Sequence, residues 1–382
     1  MRQYKRIVVK AGSSILTAEN EMLNTNIIDS LIRQVVKLNN SNREVLLVSS
    51  GAISTGMKKL GYKTKPDTLF EQQAAAAIGQ CFLMETYNKY LSKYGSDGAQ
   101  ILLTAGDFEN RNRFLNTYNT LTTLLKQDII PVINENDTVA TDEIKFGDND
   151  TLAAKVAGLI EADLIINLTD IEGLYSKKPD ENTDTSFIIR EVKNITDELE
   201  KVAGGKGKKH TTGGMITKIE GAKIAVNSGI TMVIGSGYKE NIILRIIDML
   251  ENKEDYNLGT TFLPAGETLN KRKQWLNYNI QPAGKLYIDS GAKKALIFRG
   301  KSLLPSGITG IKENFKRGDL VEILSTGDQI IGRGIVNYTS DEISKIKGKH
   351  TGYIPLLLGY VNEEEVIHRD NMVIKRGVKN DY

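Results

Sequence analysis

Two clusters of carboxylates and side-chain amides stand close together in this chain. The first is Asn134-Glu135-Asn136-Asp137, and the second is Lys145-Phe146-Gly147-Asp148-Asn149-Asp150. Groups of this kind suit a polar zwitterion or a metal, although Asn and Asp also favour turns, so a plain polar loop is the alternative reading. Two other loops supply complementary chemistry: Lys10-Ala11-Gly12-Ser13-Ser14 and Thr212-Gly213-Gly214-Met215-Ile216-Thr217-Lys218. Glycine lets backbone N–H groups approach an anion, and lysine is a point charge for phosphate. The Lys10 loop is not a P-loop, which needs a longer glycine-spaced run. Ser50, before Gly51-Ala52, either caps a helix or holds a ligand with its hydroxyl. Thr169-Asp170 contacts a nucleotide or a lysine, or Asp170 caps the turn toward Gly173. Two lysines, three anion-friendly turns and one amide and carboxylate cluster together fit phosphoryl transfer, where positioning and charge neutralisation carry most of the rate.

Strands must position these loops. Arg6-Ile7-Val8-Val9-Lys10, Glu44 to Ser49, Gln100 to Thr104, Ile129 to Ile133, Asp163 to Leu168 and Thr231 to Ile234 read as short apolar strands. Between them lie helical stretches: Asn26 to Leu38, the turn from Ser50 into a helix, Glu71 to Lys93, Asn112 to Lys126, Asp150 to Leu159, Gly214 to Asn227 and Glu240 to Leu250. This alternation is the βαβ signature of a parallel sheet, and such sheets place ligands beyond the carboxyl ends of their strands. All the polar loops above fall at such ends. Past residue 250 the pattern changes. Gly259 to Phe262, Lys285 to Asp289, Ala295 to Phe298, Leu320 to Leu324 and Gln329 to Val336 read as short strands, with one helix near Ser340 to Lys347. From Gly284 onward that is a small all-β, barrel-like domain, with a boundary near residue 275. The chain shows no internal repeat.

Composition excludes several functions. The 382 residues, 25% charged and 40% hydrophobic, describe an ordinary globular protein of two or three domains. A formal charge of +3 draws the chain to neither nucleic acid nor membrane. From Asn277 onward there are 16 Lys+Arg against 12 Asp+Glu, so any basic surface is modest. Cys81 is the single cysteine, which excludes an intramolecular disulfide and a cysteine-rich zinc site; it is expected to be buried in a helix. His210, His350 and His368 are scattered, with none of the pairing that a histidine metal site or a serine hydrolase needs. No signal peptide and no apolar run of membrane-spanning length is seen, so a cytoplasmic location is expected.

Six segments occur in order: Val8-Val9-Lys10-Ala11-Gly12-Ser13-Ser14, Val48-Ser49-Ser50-Gly51-Ala52-Ile53, Pro131-Val132-Ile133-Asn134-Glu135-Asn136-Asp137, Phe146-Gly147-Asp148-Asn149-Asp150, Leu168-Thr169-Asp170 and Gly213-Gly214-Met215-Ile216-Thr217-Lys218. This succession resembles the amino acid kinase superfamily, and within it most closely the glutamate 5-kinases. Ser302-Leu303-Leu304-Pro305 and His368-Arg369-Asp370-Asn371-Met372 resemble the PUA domain that many bacterial members carry. The likeness spans nearly the whole chain. Its specific part is the pair of clusters at Asn134–Asp137 and Gly147–Asp150. The Lys10 loop alone is shared with carbamate, acetylglutamate and aspartate kinases.

The resemblance implies an α/β fold over residues 1–270, an open and mainly parallel sheet sandwiched by helices, followed by a small β-barrel-like PUA domain over 277–382. It implies ATP-dependent phosphorylation of the L-glutamate side chain to L-glutamyl 5-phosphate, the first step of proline biosynthesis, with Mg2+. In that scheme Lys10 and Lys218 neutralise the transferring phosphoryl group, and Asp150 holds and orients them. Ser50, Asp137 and Asn149 bind glutamate, with Asn134 nearby. Lys10, Gly12, Thr169, Asp170, Thr212, Gly213, Gly214, Met215 and Lys218 bind the nucleotide. No residue is assigned to a metal. Kinship further implies feedback inhibition by proline, delivery of a labile product to glutamyl phosphate reductase, and a homo-oligomer. Whether the PUA domain binds RNA is left open, since its small basic surplus and few aromatics argue against strong affinity. A glutamate carboxylate, with a reference pKa of about 4.3, is already ionised at neutral pH, so no general base is needed.

Overall fold

A computed structural model describes residues 3–17, 23–109, 111–140, 149–176, 187–196, 199, 214–252, 258–264 and 282–374. The chain divides into two compact units: Met1–Phe108 with Asn112–Glu267, and Thr268–Tyr382 with Glu109–Arg111.

The strands of the first unit are β1 (Arg6–Ala11), β2 (Glu44–Val48), β3 (Gly98–Leu103), β4 (Ile130–Glu135), β5 (Leu164–Thr169), β6 (Leu174–Tyr175), β7 (Ile188–Ile189), β8 (Glu191–Val192), β9 (Thr231–Ser236) and β10 (Thr260–Phe262). Eight of them form one sheet in the order β3-β4-β2-β1-β5-β9-β10-β8, and β6 pairs with β7 separately. From β3 through β9 every pairing is parallel; β10 runs antiparallel to β9. β1, β2, β4, β5 and β9 therefore release their chains at one edge of the sheet. Their cores are continuous apolar runs, as expected of strands buried on both faces.

The helices follow the expected alternation. Thr25–Asn39 starts on the side chain of Asn24, which accepts the Ile27 N–H at 3.3 Å, and buries Ile28, Leu31, Ile32, Val35, Val36 and Leu38. Ala52–Lys59 and Leu69–Lys93 cross with their backbones in contact. A Cβ on Gly56 would lie 1.7 Å from the Ala75 carbonyl oxygen, and one on Gly79 would lie 1.8 Å from that of Ala52. Only glycine fits at such a crossing. Cys81 sits in Leu69–Lys93 as expected, but it is exposed rather than buried. The surrounding alanines obscure the helical period; the inward face is instead Ala75, Ala76, Gly79, Gln80, Leu83, Met84, Tyr87 and Leu91.

The second unit holds β11 (Gly284–Ile288), β12 (Ile308–Lys312), β13 (Leu320–Ser325), β14 (Ile330–Ile335) and β15 (Met372–Ile374) in the order β12-β11-β13-β14-β15. One expected strand is absent. Ala295 to Phe298 lies in a helix, Ser290–Arg299. Asp289 caps its start by accepting the Ala292 N–H at 2.7 Å, and Gly300 ends it with a left-handed φ of 55°. Those start and stop signals outweigh the β-rich run between them. The expected helix at Ser340 is present as Ser340–Ile346, opened by a reciprocal capping box between Thr339 and Glu342. β12 and β15 were not anticipated by the reading of the sequence, and neither was the short helix Ile354–Leu358.

Candidate active site

Lys10 is the next-to-last residue of β1, and its register partners are Val48 of β2 and Asn167 of β5. Its ammonium Nζ donates to Asp150 Oδ1 at 2.5 Å. Asp150 lies in the first turn of the helix Asn149–Leu159. Its other oxygen, Oδ2, accepts from Lys218 Nζ at 3.2 Å, and the Thr217 hydroxyl lies 3.1 Å away. Asn167 Nδ2 adds a bond to Oδ1 at 2.9 Å. The Asp150 side chain is 0% exposed, and those of Lys10 and Lys218 are 3% and 7% exposed. Burial alone raises the Asp150 carboxyl, but the two ammonium groups and the amide outweigh it and hold the group down at about 2. Lys218 reaches Asp150 because Gly221, one turn further along Met215–Asn227, lets the helices touch: a Cβ there would lie 2.9 Å from the Asp150 carbonyl oxygen. Two ammonium groups thus share one buried carboxylate at the ends of β1 and β5.

A neutral cluster adjoins this charged one. Asn149 Nδ2 lies 2.6 Å from the Ser49 carbonyl, 3.0 Å from Ser50 Oγ and 2.8 Å from Asn134 Oδ1. Asn134, near the end of β4, also accepts the Glu135 N–H at 2.9 Å and donates Nδ2 to Gln80 Oε1 at 2.9 Å. Ser50 does not cap the helix that follows. The N-cap is Gly51, in the left-handed region at φ 92°, and it makes no side-chain cap. The Ser50 hydroxyl is instead engaged by Asn149. Asp137 is half-buried in the turn after β4, where the N–H groups of Val139 and Ala140 return to the Asn136 carbonyl.

Thr169 ends β5, and its hydroxyl donates to Asp170 Oδ1 at 2.9 Å. Ser14 donates to the same oxygen at 3.0 Å. Burial raises Asp170, but these bonds, its backbone and the Lys218 charge bring it below the ordinary aspartate value. Gly12 anchors its loop by donating its N–H to the Leu168 carbonyl at 3.0 Å. Gly214 is the N-cap of the helix that Met215 begins, and no side chain caps it. Thr212, Gly213, His210 and the segment Lys145–Asp148 lie outside the described residues.

The structure thus brings Lys10, Asp150 and Lys218 together, and joins Ser50, Asn134 and Asn149. Three participants were not singled out from the sequence: Asn167, Thr217 and Gln80. Asn167 and Gln80 did leave a trace, because each is a polar residue within an apolar run, and buried polar groups need partners.

Comparison with known proteins agrees with this geometry. The model of the amino acid kinase family matches residues 5–236, and that of the PUA domain matches residues 284–354. A glutamate 5-kinase of Thermoanaerobacter sp. (strain X514) is 50% identical over 375 residues, covering 98% of this chain and 99% of that protein. The glutamate 5-kinase of Caldanaerobacter subterraneus subsp. tengcongensis is 51% identical with the same coverage, and that of Dictyoglomus thermophilum is 47% identical over 99% of this chain and 100% of its own length. On its buried lysine–aspartate–lysine bridge, its parallel sheet and these matches, the chain belongs to the amino acid kinase family.

Proposed function

We propose that this protein transfers the γ-phosphoryl group of ATP to the side-chain carboxylate of L-glutamate, forming ADP and L-glutamyl 5-phosphate at the entry to proline biosynthesis. The supporting observation is the pair of lysines held on one buried aspartate. The difficulty of this reaction is electrostatic, since an anion must approach a triphosphate. A carboxylate oxygen attacks the γ-phosphorus and forms the new O–P bond. The bond to the β–γ bridging oxygen breaks, and its electron pair leaves with ADP. Lys10 and Lys218 neutralise charge that builds on the transferring group, and Asp150 keeps them in place before substrate arrives, so little reorganisation is needed at the moment of reaction. No proton has to be removed from the nucleophile, because a glutamate carboxylate is already ionised at neutral pH.

Ser50, Asn149 and Asp137, with Asn134 behind them, take the amino acid. Gly12, Thr169, Asp170, Gly214 and Met215, together with Thr212 and Gly213, take the nucleotide. Among the described residues no group of three or more His, Cys, Asp or Glu is placed to hold a metal, and both oxygens of Asp150 are occupied by lysines. A Mg2+ ion arriving with the triphosphate would supply further neutralisation of its charge. The catalytic domain ends near residue 270 and the PUA domain begins near 277. Proline as an inhibitor at the glutamate site, a reductase receiving the acyl phosphate, a homo-oligomeric state and a cytoplasmic location complete the reading. The described residues contain no helix long and apolar enough to cross a membrane.

The test is to trap the product. Incubation with ATP, Mg2+, glutamate and hydroxylamine should give the glutamyl hydroxamate and stoichiometric ADP. Aspartate, acetylglutamate and carbamate as acceptors should give far less ADP. Equal or greater turnover with one of them would reassign the acceptor.

A further inference from the structure

The helix Leu69–Lys93 carries three polar side chains at intervals of seven residues: Gln73, Gln80 and Tyr87. Seven residues are about two turns, so the three fall on one face. Each reaches across to the loops that emerge from the sheet. Gln73 Nε2 donates to the Ala140 carbonyl at 3.1 Å, Gln80 Oε1 accepts from Asn134 Nδ2 at 2.9 Å, and Tyr87 Oη lies 2.9 Å from Ser49 Oγ. The close crossing at Gly79 brings this face near, and Gln80 itself is 8% exposed.

The bonds that leave Gln80 have a fixed polarity. The Glu135 N–H can only donate, so Asn134 turns its oxygen to it and its nitrogen to Gln80. The Ser49 carbonyl can only accept, so Asn149 turns its nitrogen toward Ser49, Ser50 and Asn134. Ser50 Oγ is then an acceptor in this chain, and its own hydroxyl hydrogen is left to donate. A half-exposed hydroxyl whose hydrogen is available to donate suits an anionic oxygen, which is the chemistry of a carboxylate.

We propose that Gln80 is a positioning residue for the acceptor site: through Asn134 and Asn149 it fixes the Ser50 hydroxyl as a donor to a carboxylate of the amino-acid substrate. This rests on the reading of Ser50 and Asn149 as substrate contacts. Without the Gln80 oxygen, the buried Asn134 nitrogen has no acceptor there, a loss that drives the amide to turn or shift.

The experiment compares the wild-type chain with Gln80→Met, which keeps the volume and removes both polar atoms, and with Gln80→Glu, which keeps an oxygen facing Asn134. In Gln80→Met the KM for glutamate should rise about tenfold, while kcat and the KM for ATP stay within about twofold. In Gln80→Glu the KM should return to within about threefold of wild type. Calorimetric titration of glutamate into each protein should reproduce the same order without turnover. An unchanged glutamate KM in a folded Gln80→Met overturns the proposal. So does a parallel loss in kcat and both KM values, or a Gln80→Glu no better than Gln80→Met. A wild-type protein that forms no hydroxamate from glutamate overturns the activity reading instead, and this inference with it.

Discussion

Asn149 and Asp150 are adjacent in the chain, yet they serve two halves of the site that work by different physics. Asp150 faces the charged half, where Lys10 and Lys218 close on its two oxygens. Asn149 faces the neutral half, where each contact is an amide, a hydroxyl or a carbonyl. The charged half acts through net charge, which is strong in a dry site and tolerant of direction. The neutral half acts through hydrogen bonds of fixed polarity, which are weaker but directional. A phosphoryl-transfer enzyme needs both: undirected neutralisation where charge develops, and directed recognition where the acceptor must be told from its relatives. On the proposed assignment, the start of one helix serves the two needs with consecutive residues.

The sharpest way to break this comparison is to remove one lysine. Lys10→Ala or Lys218→Ala should lower kcat by about a thousandfold, or about 4 kcal/mol, the cost of losing one preorganised charge at the transition state. Asp150 keeps the other lysine as partner, so circular dichroism should remain that of the folded protein. Steady-state kinetics beside that control decide the matter. An unchanged kcat in both variants would remove the charged half from catalysis.

Acid should separate the halves next. The Asp150 carboxyl sits at about 2 in the folded protein, against an ordinary value of 3.8. A lowered carboxyl contributes stability that is present above its ordinary value and is lost as pH falls toward the folded one. Between about pH 4 and about pH 2 the charged half should lose about 2 kcal/mol, while the amides and hydroxyls around Asn149 do not titrate. Urea unfolding of wild type and Asp150→Asn across that range measures it. The wild type should lose about 2 kcal/mol more than the variant. Equal losses would show that the bridge is energetically silent.

The neutral half yields the third contrast. Asn149→Ala should raise the KM for glutamate about tenfold and leave the KM for ATP nearly unchanged, because the lost bonds point to the acceptor side. A rise in both constants would show that the halves are not separable at this helix start.

Much of this division was legible in the sequence. The strand alternation gave the parallel sheet, and the position of each polar loop after an apolar run placed Lys10, Ser50, Asn134 and Thr169 at one edge. The Lys10–Asp150–Lys218 bridge joins residues 140 and 68 apart in the chain. Loop chemistry and resemblance named its members, but only the fold shows their contact. Asn167 and Gln80 are hidden in the sequence for one reason. A single polar residue inside an apolar run is easily taken for noise in the period, whereas its burial forces a partner. Ser50 was open between cap and ligand because the glycine after it can take the cap position itself, through a left-handed backbone that one sequence does not reveal. In Ser290–Arg299 the apolar run Ala295 to Phe298 looks like a strand, but the Asp289 and Gly300 caps at its ends make the segment a helix.

The smallest expected effect lies at Asp170, outside both halves. Its carboxylate collects the hydroxyls of Ser14 and Thr169 and sits near Lys218, so it stiffens the join between the loop after β1 and the end of β5. It is exposed, so water can replace much of what it offers. Asp170→Asn keeps the oxygen that both hydroxyls share and gives up the charge. The KM for ATP should rise about threefold, with kcat and the KM for glutamate nearly constant. If kcat falls instead by tenfold or more, Asp170 is helping to place Lys218, and the charged half extends beyond the buried bridge. If only the glutamate KM moves, the nucleotide end of the site has been put on the wrong side of β5.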